Sequence, residues 1–218
     1  MHAQVTVPFV GCPSDGQACP VAAPQGKPVT LPIPKVFGRK VAWYSSFENG
    51  MGVLAPAGWH CSTLYGSSGD LLTVRPNPFD TWGAFTGPGI RLAFTTGQGS
   101  GGYEVVRLMS LLFPRYNARV QGLMKAEPEG TGNFKLGPFK TDRIIRRGAT
   151  VVEYRTPADT EGLGTQLLRA DRLAIEGVVI LTGTNPDMTH LAVRLPEEWN
   201  NLAPIIMDQA KRDAAKLR

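Results

Sequence analysis

Three cysteines and three histidines are the side chains of this chain best suited to metal binding or nucleophilic chemistry. His60 and Cys61 are adjacent in a predicted strand, where neighbouring side chains point to opposite faces, so they cannot form a Cys–His pair. His190 lies far away in the sequence. No close pair of His or Cys ligands recurs along the chain, so we expect neither a metal site nor a catalytic cysteine.

A glycine-rich stretch matches the spacing of a dinucleotide-binding loop, with Gly97, Gly99 and Gly102 between a predicted strand and a predicted helix. Backbone N–H groups at such a turn could hold a phosphate. The strand is expected to belong to an antiparallel sheet, which lacks the βαβ unit, and Gly122 stands where an acidic residue would be needed. We therefore predict a flexible turn and no cofactor, with a small-anion site as an alternative.

Residues 155–165 form a polar loop in which Asp159 and Glu161 follow Arg155. Polar loops on a rigid sheet often carry function, so both carboxylates are candidates for binding a partner. Two carboxylates this close could also serve as an acid/base pair. Together with His190 they define an alternative hypothesis, a periplasmic hydrolase, which requires that at least two of the three converge in one cleft.

Residues 76–88 form a second loop of interest, because Phe79, Trp82 and Phe85 lie among prolines and glycines that prevent a regular element. Aromatic side chains on such a loop either plug the edge of the core or form a patch for a partner. As a binding patch, the loop should lose partner affinity on Trp82→Ala with little change in melting temperature.

The cysteines also bear on the compartment. Three pairings are possible, and Cys12–Cys61 restricts the unfolded chain more than Cys12–Cys19 because it closes a longer loop. We predict Cys12–Cys61, which would attach the Pro- and Gly-rich arm of residues 1–34 to a predicted strand; three reduced thiols in a cytosolic protein is the alternative. Residues 2–4 (His-Ala-Gln) resemble the remainder of an Ala-x-Ala cleavage site, so we expect a removed signal peptide and a periplasmic or secreted protein.

Composition limits the remaining possibilities. The 218 residues fit one domain, with 42% apolar and 19% charged residues. The net charge is +5, but the basic residues fall in small groups with no long run, so we expect no nucleic acid partner. No run of consecutive apolar residues reaches the length of a membrane span.

The coarse pattern of elements is strands, helix, strands, helix. A hairpin is predicted at residues 58–74 and another at 142–154. Helices are predicted at 103–113, at 117–125 and near the C-terminus, where Asn201 is a candidate cap. Residues 41–44 and 166–172 are each ambiguous between strand and helix. Tight turns require antiparallel pairing, so we predict an α+β fold in which helices pack on an antiparallel sheet.

Residues 53–59 (Val-Leu-Ala-Pro-Ala-Gly-Trp), followed by a hairpin, resemble the opening of PsbP-like domains. The later strand with Gly148 and residues 151–154 (Val-Val-Glu-Tyr), together with the final helix, fits the same order. The resemblance covers about residues 41–217 through loose motifs. It implies a binding or assembly module more than an enzyme.

A second resemblance is to a group of exported proteobacterial proteins with no assigned activity. It is carried by residues 11–17 (Gly-Cys-Pro-Ser-Asp-Gly-Gln), 58–61 (Gly-Trp-His-Cys) and 161–165 (Glu-Gly-Leu-Gly-Thr). This match implies a location in the cell envelope. The sequence therefore predicts an arm (residues 1–34), one α+β domain (residues 35–218) and a non-catalytic envelope protein that binds an envelope protein or another envelope component through its loops.

Overall fold

The fold is that of a computed structural model, which describes residues 3–46, 52–78, 83–132, 134 and 136–216. The described strands are β1 (Gln4–Val7), β2 (Phe9–Cys12), β3 (Ser14–Gly16), β4 (Val29–Pro32), β5 (Val41–Ser46), β6 (Gly52–Pro56), β7 (His60–Gly66), β8 (Gly69–Arg75), β9 (Gly89–Thr95), β10 (Arg143–Arg147), β11 (Val151–Thr156), β12 (Ile175–Thr182) and β13 (Asp187–Arg194). The described helices are α1 (Gly101–Leu112), α2 (Asn117–Ala126), α3 (Pro128–Thr131) and α4 (Ala203–Lys216).

The main sheet has eight strands in the order β10-β11-β12-β13-β9-β8-β7-β3. Its pairs are antiparallel except for β3 with β7. A three-stranded sheet (β2-β5-β6) and a two-stranded sheet (β1-β4) accompany it. The predicted α+β class, with helices packed on an antiparallel sheet, is confirmed.

Alternation along the central strands gives the main sheet two buried faces, because successive side chains point to opposite sides. One face packs on α4 and the three-stranded sheet, and its core includes Leu72, Ile90, Val178 and Leu191. The other face packs on α1 and α2 and includes Val152, Val179, Leu181 and Met188. An ion pair at 2.6 Å between Lys211 of α4 and Glu153 of β11 fixes the final helix to the sheet.

The N-terminal arm contributes strands that the sequence did not suggest. β2 pairs in parallel with β5, and β3 pairs in parallel with β7. A disulfide joins Cys12 at the end of β2 to Cys61 in β7, with the Cα atoms 5.2 Å apart, and this is the predicted pairing. Cys19 is exposed and unbridged. The bridge therefore fastens the arm to the main sheet.

Both hairpins form as predicted, with Gly66 paired to Gly69 in the first and β10 paired to β11 in the second. The ambiguous residues 41–44 lie in β5. Of residues 166–172, the first ends a 3₁₀ turn (Gly164–Gln166) and the others form a loop. The Asn201 cap is wrong. A 3₁₀ turn at Glu197–Leu202 continues directly into α4, so the chain is already helical at that position.

Candidate functional site

Two arginines are buried in the centre of the main sheet, on the face that carries α1 and α2. Arg194 ends β13 with no exposed surface, and Arg91 on β9 is 4% exposed. Strand alternation puts them there, because each follows an apolar residue that points to the opposite face. A buried guanidinium group must have partners, since an uncompensated buried charge is strongly unfavourable.

Arg194 finds its partners in the backbone of two loops. Its Nε donates to the carbonyl of Gly87 at 2.6 Å, Nη1 to Arg169 at 2.6 Å and Nη2 to Phe85 at 2.9 Å. Burial lowers the pKa of Arg194, and the nearby carboxylate of Asp171 partly opposes that shift. The cation therefore joins residues 85–87 to the loop after the 3₁₀ turn at Gly164–Gln166.

Arg91 joins the same two loops at a second point. Its Nη1 donates to Leu167 at 2.9 Å and its Nη2 to Gly83 at 2.7 Å. Burial, with a smaller contribution from the charge of Arg75, lowers the pKa of Arg91 to about 10, so it stays protonated at neutral pH.

Phe85 packs against two arginines and is 8% exposed. The guanidinium carbons of Arg75 and Arg91 lie 5.0 and 5.2 Å from the centre of its ring, within the range of cation–π attraction. Phe85 therefore plugs the edge of the core, and its ring is not a free binding surface. The other two aromatic candidates, Phe79 and Trp82, lie outside the described residues.

Asp171 completes this arrangement from the second loop. Its carboxylate accepts the N–H of Gly87 and that of Arg172. The hydrogen bond from Gly87 is the largest cause that lowers the pKa of Asp171, ahead of the opposing effect of burial and of smaller favourable contributions from Arg172 and Arg194. Gly87 has φ +79, a conformation that glycine adopts without steric penalty.

A cleft of about 630 Å³ opens beside Gly87. It is lined by Thr86, Gly87, Pro88, Asp171, Arg172, Leu173, Pro196 and Glu197. Thr86, Arg172 and Glu197 are exposed at the protein surface, and the prolines and Leu173 add apolar surface. The cleft thus offers both charges and apolar contacts on a backbone fixed by the buried arginines.

The polar loop of residues 155–165 is attached to the same region. The N–H of Asp159 donates to the carbonyl of Asp171 at 2.8 Å, and Asp159 has φ 54. Asp159 and Glu161 are both exposed. The cleft that Glu161 borders, about 310 Å³ in volume, is lined by neither Asp159 nor His190.

His190 is 2% exposed on β13, and its Nε2 lies 2.7 Å from the hydroxyl of Tyr154. Burial, assisted by the charge of Arg107, lowers the pKa of His190 to about 3. The ring is therefore neutral and enclosed, while Asp159 and Glu161 face solvent. Neither the cleft beside Gly87 nor the one that Glu161 borders is lined by more than one of these three residues, so neither meets the requirement of the hydrolase hypothesis that at least two converge.

Three N–H groups of the glycine-rich turn have acceptors within the protein. Gly97 donates to the carboxylate of Asp187 at 2.8 Å, Gln98 to the hydroxyl of Thr96 at 3.4 Å, and Gly102 to the carbonyl of Gly99 at 3.2 Å. The Asp187 carboxylate thus engages the N–H of Gly97, and the turn leads into α1. The small-anion alternative stays a prediction.

Within the described part of the chain, no group of three or more His, Cys, Asp or Glu side chains is placed to hold a metal ion. Among the described helices, none is long and apolar enough to cross a membrane.

The residues that build the cleft were missed by sequence reasoning. A signal was available in Arg91 and Arg194, since each interrupts an apolar strand pattern at a position that alternation places inside the protein. Such a charge predicts a buried partner. The sequence offers no comparable signal for Asp171 or Glu197, which lie in segments of ordinary loop and turn composition.

Comparison of the chain with protein-family models, with curated proteins and with solved structures gave no match. The basis for a functional conclusion is therefore the geometry of the site.

Proposed function

We propose that this protein is a non-catalytic binding or assembly module of the bacterial cell envelope, and that a partner protein docks in the cleft beside Gly87. The observation that carries the proposal is the pair of buried arginines. Arg91 and Arg194 commit their guanidinium groups to carbonyls of residues 83–87 and 167–169, so the two loops that contribute Gly87 and Asp171 to the cleft are joined before any partner arrives.

Such rigidity favours binding, because a surface that is already ordered loses less conformational entropy when a complex forms. The exposed rim supplies opposite charges in Arg172 and Glu197, which favour a partner with complementary charge and orient it. The apolar surface of Leu173 and the neighbouring prolines supplies the contact area. This combination suits a short segment of another protein better than a small polar ligand.

The cleft is less suited to acid/base catalysis. Asp171 and Glu197 both line it, but the Asp171 carboxylate is engaged by two backbone N–H groups and acts as a brace for the loop. A general acid or base has to exchange protons with a substrate, and a carboxylate held ionised by structural hydrogen bonds is a poor proton donor.

The envelope location rests on the Cys12–Cys61 bridge, because disulfides persist mainly in oxidising compartments. The resemblance to exported proteobacterial proteins supports the same address, and the resemblance to PsbP-like domains supports a binding role.

Charge reversal at the rim tests the proposal. Arg172→Glu and Glu197→Lys change exposed side chains, so the melting temperature should stay within about 2 °C of the wild type. Each should reduce recovery of a specific envelope protein with the purified chain by about tenfold. The control Lys125→Glu, on the exposed side of α2, should recover that protein normally. Equal recovery by all three variants would refute docking at the cleft.

A further inference from the structure

The two edge strands of the main sheet, β3 and β10, differ in whether another segment pairs with their outer side. At one end β3 is short, and Ser14 exchanges backbone hydrogen bonds with Val21 at 2.9 and 2.7 Å, so a following segment covers that edge. At the other end β10 pairs with β11, and no further strand among the described residues pairs with its outer side. Among the described residues, the outward backbone donors and acceptors of β10 therefore have no strand partner.

An open strand edge is a template for another strand, and proteins usually protect such edges with charges and bulges. β10 has a bulge between Ile144 and Arg146. It also has an exposed isoleucine, since Ile145 at the bulge keeps 51% of its surface in solvent. An exposed isoleucine adds nothing to the protection of an edge, whereas it offers apolar contact to an incoming strand.

The edge is strongly basic. The eight residues from Lys140 to Arg147 contain four basic residues and one acidic residue. The acidic residue, Asp142, has its carboxylate engaged by the hydroxyl of Thr156 and the N–H of Leu163. Lys140 and Arg143 are exposed. The positive charges of Lys140 and Arg143 are therefore offered to solvent, and the carboxylate of Asp142 is turned to internal contacts.

Two acidic residues nearby reduce the positive charge at this edge without cancelling it. The carboxylate of Glu176 on β12 lies 3.3 Å from the guanidinium of Arg155 on β11, so the charges of these two residues largely compensate each other. Glu161 is exposed, and its carbonyl accepts the hydroxyl of Thr141 next to the start of β10. The strand itself has no acidic residue among its five.

Charge decides which occupant fits. A second copy of the chain would pair β10 with β10 and place several arginines close together, and like charges across a strand pair are destabilising. An extended segment with acidic residues at alternate positions would instead gain both main-chain hydrogen bonds and charge attraction.

We propose that the outer edge of β10 accepts an extended acidic segment of a partner protein by strand addition. This surface shares no residue with the cleft beside Gly87, so the two proposals stand or fall separately.

Two synthetic peptides with blocked ends serve as probes: one alternates glutamate with valine, and the matched one alternates lysine with valine. Both are added to the full chain, and affinity and amide hydrogen exchange are measured. The glutamate peptide should bind at least about tenfold more tightly than the lysine peptide, which corresponds to about 1.4 kcal/mol. It should also slow exchange of the β10 amides by about tenfold.

Substitutions locate the binding on the strand. Arg143→Glu should weaken binding of the glutamate peptide by about fivefold, and Lys125→Glu should not. Both positions are exposed, and unchanged thermal unfolding confirms that each variant is folded. Equal affinity for the two peptides, binding that protects amides outside β10, no binding, or a concentration-dependent dimer that protects β10 would each overturn the proposal.

Discussion

Arg194 and Asp171 contact the two sides of the Gly87 backbone. The guanidinium of Arg194 donates to the Gly87 carbonyl at 2.6 Å, and the Gly87 N–H donates to the Asp171 carboxylate at 2.5 Å. A cation from the core and an anion from a loop thus hold one peptide segment between them. This contact couples the central strand β13 to the surface that we propose binds a partner.

Arg194→Met should destabilise the protein by about 3 kcal/mol, because three loop carbonyls lose a charged donor that has no exposed surface. The methionine fills much of the volume, so the effect reports the hydrogen bonds more than a cavity. Urea unfolding measures the change. Arg172→Met, at an exposed position, should stay within about 0.5 kcal/mol of the wild type. Equal effects would mean that the loops are held by something other than Arg194.

Replacement of Cys12 and Cys61 by alanine should lower the free energy of unfolding by about 4 kcal/mol, given the 49-residue separation of the two cysteines. The physical reason is the larger entropy of an unfolded chain without the cross-link. Cys19→Ala removes the exposed thiol and is the control. If the double variant unfolds at the same urea concentration as the control, the bridge does not stabilise the arm.

His190 makes stability depend on pH. The unfolded chain binds a proton on this ring below pH 6.5, and the folded protein does so only near pH 3, so stability is lost as pH falls from 6.5 towards 3. Between pH 7 and pH 5 the loss from this one group is about 2 kcal/mol. His190→Gln should remove that part of the dependence, whereas His60→Gln, at an exposed position, should keep it. If the free energy of unfolding depends on pH in the same way for the wild type and for His190→Gln, the account of His190 as an enclosed neutral ring is contradicted.

Gly177→Ala should destabilise the protein by about 2 kcal/mol or more. A Cβ at this position would clash with the carbonyl oxygen of Leu191 and with the ring carbon Cζ and the hydroxyl of Tyr154, so the tyrosine that contacts His190 has to move. Gly122→Ala is the matched control, because nothing lies within 4 Å of its Cβ. That substitution in α2 should stabilise by up to about 1 kcal/mol. Thermal unfolding of both variants compares them, and a tolerated alanine at Gly177 would count against the described packing.

Much of the fold follows from local patterns. Alternation and turn residues predicted the two hairpins, because a pairing across Gly66 to Gly69 needs only neighbouring residues. The Cys12–Cys61 pairing followed from loop entropy. The strands of the arm did not follow, because parallel pairing of β2 with β5 and of β3 with β7 depends on distant partners that proline-rich sequence does not reveal.

The site was less predictable for the same reason. Phe85 was identified as an aromatic on a loop, but its burial depends on Arg75 and Arg91, which only the folded sheet places around it. His190 was a reasonable acid/base candidate from the sequence, but in the fold its side chain points from β13 into the interior and is 2% exposed. Asp171 gains its role from Gly87, 84 residues away in the chain. These relationships are tertiary, and no local spacing encodes them.

The most direct test places a photo-crosslinking amino acid at Arg172 and, separately, at Glu197 of the protein in intact cells of the organism that produces it. A third position, Lys125 on α2, serves as the reference. Docking in the cleft predicts that both cleft positions give the same discrete product with one envelope protein, and that Lys125 does not. No product from either cleft position, or an equal product from Lys125, would contradict the account.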